Sequence, residues 1–210
     1  MTDKKFALAT FVLVVFHAVG FYGLVFSSNP GWFRTLTPVN LLLTNMLLYS
    51  FHKTWNLSFL LFVVVALLAG FISEVIGVHT GLLFGSYTYG QALGPKLWGI
   101  PLVISLNWLL LVYVTGMLVQ HLPLPWVPKA LLAAALMTFL DMFIEPIAAV
   151  LDFWTWEGHR IPAANYWGWL GVGFLLQLYF GKAGFDKHNS LAAVVYALQL
   201  VFFISLNFFL

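Results

Sequence analysis

The run WVPKALLAAALMTFLDMFIEPIAAVL, residues 126–151, decides the fold class. A helix crosses a hydrocarbon core with about 20 apolar residues, and this run is long enough, yet it carries Asp141 and Glu145 well inside it. An ionisable side chain at such depth is expensive. It faces a bundle interior or a wet path, and by default it marks a functional site. The alternative of a β-barrel would show strands of about ten residues with strict alternation, which this run lacks.

The rest of the chain has the same character. Of 210 residues, 62% are hydrophobic and 8% charged, with mean hydropathy +0.95. A soluble core of this size could not hide that much apolar surface. The chain therefore reads as all-α, a polytopic transmembrane helical bundle of about seven spans in a single integral membrane domain over 1–210. The expected spans are 6–26, 36–51, 57–78, 99–120, 126–151, 166–181 and 190–210. The second is short and contains Pro38, Asn40 and Asn45, and the sixth is short and rich in glycine. The first outruns the apolar core of a signal peptide and no A-x-A site follows, so it reads as a retained helix.

Orientation follows from the loops, since cytoplasmic ones carry the excess of Lys and Arg. Seven spans place Lys4, Lys5, Lys53, Lys129, Lys182 and Lys187 on one side and Arg34, Lys96 and Arg160 on the other. The N-terminus is accordingly expected inside, in a bacterial plasma membrane. Cysteine is absent, which excludes disulfides, thiolate metal sites and cysteine nucleophiles. The nine cations form no basic run, and that argues against nucleic acid as a partner.

Seven acidic residues occur in all, and five of them, Glu74, Asp141, Glu145, Asp152 and Glu157, fall in the outer half or an outer loop. At about 100° per residue, Asp141, Glu145 and Asp152 point to about 0°, 40° and 20°, and at about 1.5 Å rise they span roughly 16 Å. If the helix continues past Pro146, they form a ladder from the surface to mid-membrane. Pro146 also frees the carbonyl of Met142, so a kink or a polar contact is expected there. Glu74 and Asn107 reach comparable depth, so Glu74, Asn107, Asp141, Glu145 and, at the rim, Asp152 could converge on one pocket. A neutral carboxylic acid in an apolar site is a proton donor, and an ionised neighbour is a base.

Two long loops, HTGLLFGSYTYGQALGPKLW (79–98) and DFWTWEGHRIPAAN (152–165), lie on the same expected side. They are too aromatic to be disordered and should fold back onto the membrane. Each follows a helix bearing a carboxylate and leads through Ile-Pro to an Asn and a Trp, a faint internal echo. The aromatics suit an interfacial belt first, and a subset could line a pocket where ring faces stabilise a cation. The six histidines stand singly, without metal-ligand spacing, so no metal is expected. His79 is the one that closely follows a cluster acid.

In order along the chain stand E-x-x-G (Glu74 to Gly77), FGSYTYGQALGPKLWGIP, Asn107-Trp108, D-x-x-x-E-P (Asp141 to Pro146), WTWEG and IPAANYWGW. This series resembles the carotenoid biosynthesis family of membrane hydratases, of the bisanhydrobacterioruberin hydratase and carotenoid 1′-hydratase type. The similarity runs from about Glu74 to Trp169, and the flanking helices match only in hydropathy. The resemblance implies a hydro-lyase that adds water across the terminal C1=C2 double bond of an acyclic carotenoid end, giving a tertiary alcohol with no cofactor. Its partners would be a lipid-soluble carotenoid, water and membrane lipid.

The residues suit that chemistry independently. Protonating a trisubstituted olefin needs a strong, desolvated acid, and the tertiary cation needs negative charge or aromatic faces nearby. Candidate catalytic residues are Glu74, Asp141, Glu145 and Asp152. Asp141 or Glu145 would donate the proton, while Glu74 or the other acid would orient water. Candidate substrate-binding residues are His79, Tyr87, Tyr89, Trp98, Asn107, Trp108, Trp156, Asn165 and Trp169. A retinal-binding pump is disfavoured because residues 190–210 contain no lysine for a Schiff base. A non-enzymatic carrier of carotenoid or isoprenoid lipid, and an isoprenoid isomerase or lyase, remain alternatives.

Overall fold

The computed structural model describes residues 2–210 and contains helices at all seven expected places. These are α1 (Thr2–Val25), α3 (Thr37–Tyr49), α4 (Leu57–Thr80), α5 (Val103–Val119), α6 (Trp126–Ala148), α7 (Ala163–Lys182) and α8 (Ala192–Phe209), with a one-turn α2 (Pro30–Thr35) between the first two. Four of them, α1, α4, α6 and α8, are long and apolar enough to cross a membrane, and α5 is a shorter apolar helix. The chain is an integral membrane helical bundle.

Local chemistry sets the helix ends. Asn29 and Asn56 cap α2 and α4, their side chains accepting from the backbone N–H of Trp32 and Phe59 at 3.3 and 2.9 Å. Such caps satisfy donors that a helix start leaves open. Pro38, which made the second span look weak, sits in the first turn of α3, where a missing N–H costs nothing. Gly81, at φ +67°, closes α4 with its N–H on the Gly77 carbonyl, a left-handed stop that glycine adopts without strain.

The middle of the bundle is α5. Its residues 108–117 are buried on every side, as expected of a helix that is apolar all round. It packs against α3, α4, α6, α7 and α8, while α1 lies against α8. Gln177 of α7 ties it further, donating to the Val112 carbonyl at 2.8 Å and to Thr115 Oγ1 at 2.9 Å. At the bundle end away from the long loops, His52 stacks on Phe59 with ring centres 3.7 Å apart and joins Tyr113 Oη at 2.8 Å. Asn189 donates to that same phenol and to the Leu48 carbonyl, so this end is closed by a satisfied polar knot.

The two long loops carry strands that the sequence reading did not foresee. β1 (Tyr87–Tyr89) pairs antiparallel with β4 (Trp154–Trp156), and β2 (Lys96–Leu97) with β3 (Ile100–Pro101). The β2–β3 turn places Trp98 and Gly99 at φ +53° and +84°, the two positive angles of a tight hairpin. The fourth expected span therefore starts later, at Val103, because residues 100–101 are strand.

The carboxylate ladder is cut short for a similar reason. α6 continues through Pro146 but ends at Ala148, and Asp152 lies beyond it at φ +58°. Asp152 is thus no third rung. The side-chain contact found near Pro146 is to a different carbonyl from the one the proline frees: Asn207 Nδ2 donates to the Phe143 carbonyl at 2.6 Å, not to that of Met142.

Candidate active site

The β1–β4 ribbon covers the ends of α4–α7 that carry the acids. Successive strand residues point to opposite faces, so Thr88 and Thr155, paired with each other, are exposed, while Tyr87, Tyr89, Trp154 and Trp156 turn toward the bundle. Tyr87 pairs with Trp156, ring centres 4.9 Å apart, and Tyr89 with Trp154 at 6.1 Å. The result is a lid with four polar aromatic donors on its underside.

Those donors divide between two acids. Glu74 of α4 accepts from the Tyr87 hydroxyl and, at 2.7 Å, the Tyr89 hydroxyl on Oε2, and from Trp108 Nε1 at 2.8 Å on Oε1. Glu145 of α6 accepts from Trp154 Nε1 at 3.1 Å and Trp156 Nε1 at 2.6 Å on Oε2, and from Asn165 Nδ2 at 2.7 Å on Oε1. Each glutamate thus takes two donors from the strand after its own helix and one from the following helix. Burial first, and then the neighbouring Glu74, holds the Tyr87 and Tyr89 phenols far above their ordinary range, so both act as neutral donors.

The sequence echo accordingly has a spatial counterpart. Trp108 and Trp169 each stand seven residues after the proline of their Ile-Pro pair, and they stack with ring centres 4.2 Å apart and planes 10° apart. One position breaks the match: four residues before Glu145 stands Asp141, but four before Glu74 stands Gly70. A Cβ at Gly70 would run into Cβ and the ring of Trp108. Gly70→Ala should therefore push Trp108 off Glu74 and cost about 1–3 kcal/mol, the range for a buried group left unpaired or a core overpacked. Thermal unfolding in detergent and near-ultraviolet dichroism of the stacked tryptophans would measure it, and an unchanged melting point and spectrum would contradict the geometry.

Asp141 is fully buried one turn below Glu145. Its Oδ2 shares the Asn165 amide, accepting at 2.9 Å, while its Oδ1 has no hydrogen-bond partner. Asn165, named from the sequence only as a substrate-binding candidate, is the link between the two carboxyls, in the first turn of α7.

Between the glutamates lies a small chamber lined by Glu74, Glu145, Tyr87, Trp156, Asn165 and Trp169 among others. Its free volume is about 20 Å³, room for one water, which needs on the order of 10–15 Å³. Ile104 and Trp154 also line it, and both line a much larger apolar cavity next door.

Of the residues predicted from sequence, Glu74, Asp141, Glu145, Tyr87, Tyr89, Trp108, Trp156, Asn165 and Trp169 come together here. Four do not. His79 bonds to the Trp98 carbonyl at 2.9 Å on the exposed side, and Trp98 is 66% exposed at the hairpin tip. Asn107 lines the larger cavity. Asp152 accepts the Gln91 N–H at 2.9 Å and pins the lid to the end of α6, and a Cβ at Gly90 would strike it. Sequence reasoning leaves out Trp154, because Trp-Thr-Trp becomes a signal only once it is paired with Tyr-Thr-Tyr.

The family described as "Carotenoid biosynthesis protein" matches residues 34–210, wider than the motif-bearing region. Bisanhydrobacterioruberin hydratase of Haloarcula japonica is 32% identical over 127 residues, covering 54% of this chain and 41% of that protein. The chain thus corresponds to less than half of that relative's length. No solved structure matches it.

Proposed function

We propose, from the premise that the chain belongs to the carotenoid biosynthesis protein family, that it is a hydratase adding water to the terminal C1=C2 double bond of an acyclic carotenoid end. The observation that carries this reading is the pair of donor-ringed glutamates lining one water-sized chamber beside an apolar cavity. Hydration needs an acid, a base, room for one water and a greasy approach, and the two glutamates, the chamber and the cavity offer a candidate for each.

Glu145 is the proton donor in this reading. It bonds to Trp154, which with Ile104 is shared with the apolar cavity, so an olefin arriving at that tryptophan meets Glu145 first. The proton goes to the less substituted carbon, the π pair forms the new C–H bond, and a tertiary cation remains. Trp156 and Trp169, which line the chamber, offer aromatic surface to that cation. Water held at Glu74 then adds its oxygen to the cation and loses a proton to Glu74. Asp141, sealed behind Glu145 and joined to it through Asn165, positions the pair and does not touch the olefin. Proton return from Glu74 to Glu145 closes the cycle with no redox change.

The lysine bias supports an N-terminus on the cytoplasmic side, which sets the lid and both glutamates toward the outer face. The function is tested by supplying an acyclic carotenoid such as lycopene to cells expressing the protein in ¹⁸O-water. A product heavier by one labelled water supports hydration. Unchanged pigment across several acyclic carotenoids would replace the reading by a carrier role, and an unlabelled oxygen would replace it by oxygenation.

A further inference from the structure

Resting on that reading, we propose that the cavity enclosed by α1, α3, α5, α6 and α8 binds the apolar isoprenoid chain of the substrate, which enters sideways from the bilayer between α1 and α3. The cavity has about 200 Å³ of free volume, against about 20 Å³ for the acid chamber. Its walls are Leu24, Phe33, Leu140, Ile144, Phe202 and similar residues, the lining of a site for an apolar ligand.

Continuity with the acid chamber names the occupant. Ile104 and Trp154 belong to both linings, so a chain lying in the cavity delivers its end to the glutamates past those two side chains. The chamber alone has room for about one water. The reacting carbons must therefore come in at this neck.

The mouth is placed by exposure. Phe16 and Val19 of α1 and Val39 of α3 line the cavity yet are 44%, 54% and 53% exposed, and in a bilayer that exposure is to lipid. A long polyene can thus leave most of its length among acyl chains while its end is held.

Polar groups set the cavity apart from a gap that lipid tails alone would fill. Asn40, Thr44, Asn107 and Gln199 line it, and Asn40 Oδ1 and Gln199 Oε1 are buried without a hydrogen-bond partner. Hydrocarbon cannot satisfy an amide, and each such group left bare is costly. Water standing beside the chain satisfies them and has the same route to the chamber, which supplies the co-substrate along with the olefin.

Because the chain has no cysteine, single cysteines can be placed cleanly. A small fluorophore at Val39→Cys, and separately at Leu68→Cys on the lipid-facing side of α4, is titrated with lycopene in nanodiscs of fixed composition. Quenching at position 39 should saturate at lycopene levels about tenfold or more below any effect at 68, a gap of about 1.4 kcal/mol in affinity. Equal, unsaturating quenching at both sites means the polyene only partitions into lipid, and the cavity proposal falls. Adding Ile104→Trp should keep saturation at 39 while abolishing turnover; turnover at the wild-type rate in that variant would remove the neck from the path. The outcomes separate the two readings. Saturable quenching in a protein that never hydrates sinks the hydratase assignment and leaves the cavity, whereas hydration without saturable quenching sinks the cavity alone.

Discussion

On the proposed hydratase function, Glu145→Gln is expected to lower the rate of water addition by about 10²–10⁴, the usual share of a positioned acid or base, and to destabilise the protein more than Glu74→Gln does. The second part follows from the donors around each carboxylate. Glu145 accepts only from N–H groups, two indoles on Oε2 and the Asn165 amide on Oε1. An amide at this position can keep its oxygen under the tryptophans, but its NH₂ then faces the NH₂ of Asn165 across 2.7 Å. Neither group can turn into an acceptor without abandoning another bond, so about 1–3 kcal/mol is lost.

At Glu74 the two donors on Oε2 are hydroxyls of Tyr87 and Tyr89, and a hydroxyl can rotate to accept. Glu74→Gln should therefore melt close to wild type while losing activity. Parallel measurement of melting temperature and product formation in detergent checks both parts. If Glu145→Gln turned over at the wild-type rate, the proton donor would lie elsewhere. If the two variants melted alike, the donor arrangement would be misjudged.

How much of this was legible before the structure depends on which periodicity carried the information. Apolar length gave the helices, because a bilayer-spanning run has few other readings, and depth along those runs singled out Glu74, Asp141 and Glu145. The expected convergence on the acids fails where helix geometry is extended too far or not applied. Asn107 adjoins Trp108 in sequence, but neighbours on a helix point about 100° apart. Trp108 faces Glu74, so Asn107 turns to the apolar cavity. His79 follows Glu74 by five residues, about 140° around the helix, and faces away.

Asp152 was carried onto the helix by the apolar residues Ala149, Val150 and Leu151, which continue a helical pattern although the chain leaves it at Ala148. The strands were invisible for a different reason. Three residues are too few to establish an alternation, and Tyr-Thr-Tyr acquires its meaning only from Trp-Thr-Trp, 67 residues on, which pairs with it. The aromatic content was explained equally well by an interfacial belt.

Asn165→Asp is the other substitution with a large expected effect, and it tests whether the amide is the joint of the site. The change is nearly isosteric, so packing around 165 is kept and only the NH₂ donors are lost. In the native site that NH₂ is spread between Asp141 Oδ2 at 2.9 Å and Glu145 Oε1 at 2.7 Å. Aspartate would set a third carboxyl against two others in a fully enclosed place. Oxygen would face oxygen at hydrogen-bond distance, and the arrangement can persist only if a proton is shared there or the side chains move apart. The expected loss is about 2–4 kcal/mol of stability, in the range for breaking a buried polar network, together with product formation down by about 10²-fold or more. Asn165→Gln separates the two effects: it restores the donors on a longer arm, so it should recover stability in part while leaving Glu145 misaligned and activity low. Should Asn165→Asp retain wild-type melting and turnover, Asp141 and Glu145 would be functioning independently, and the link through the amide would carry no energetic weight.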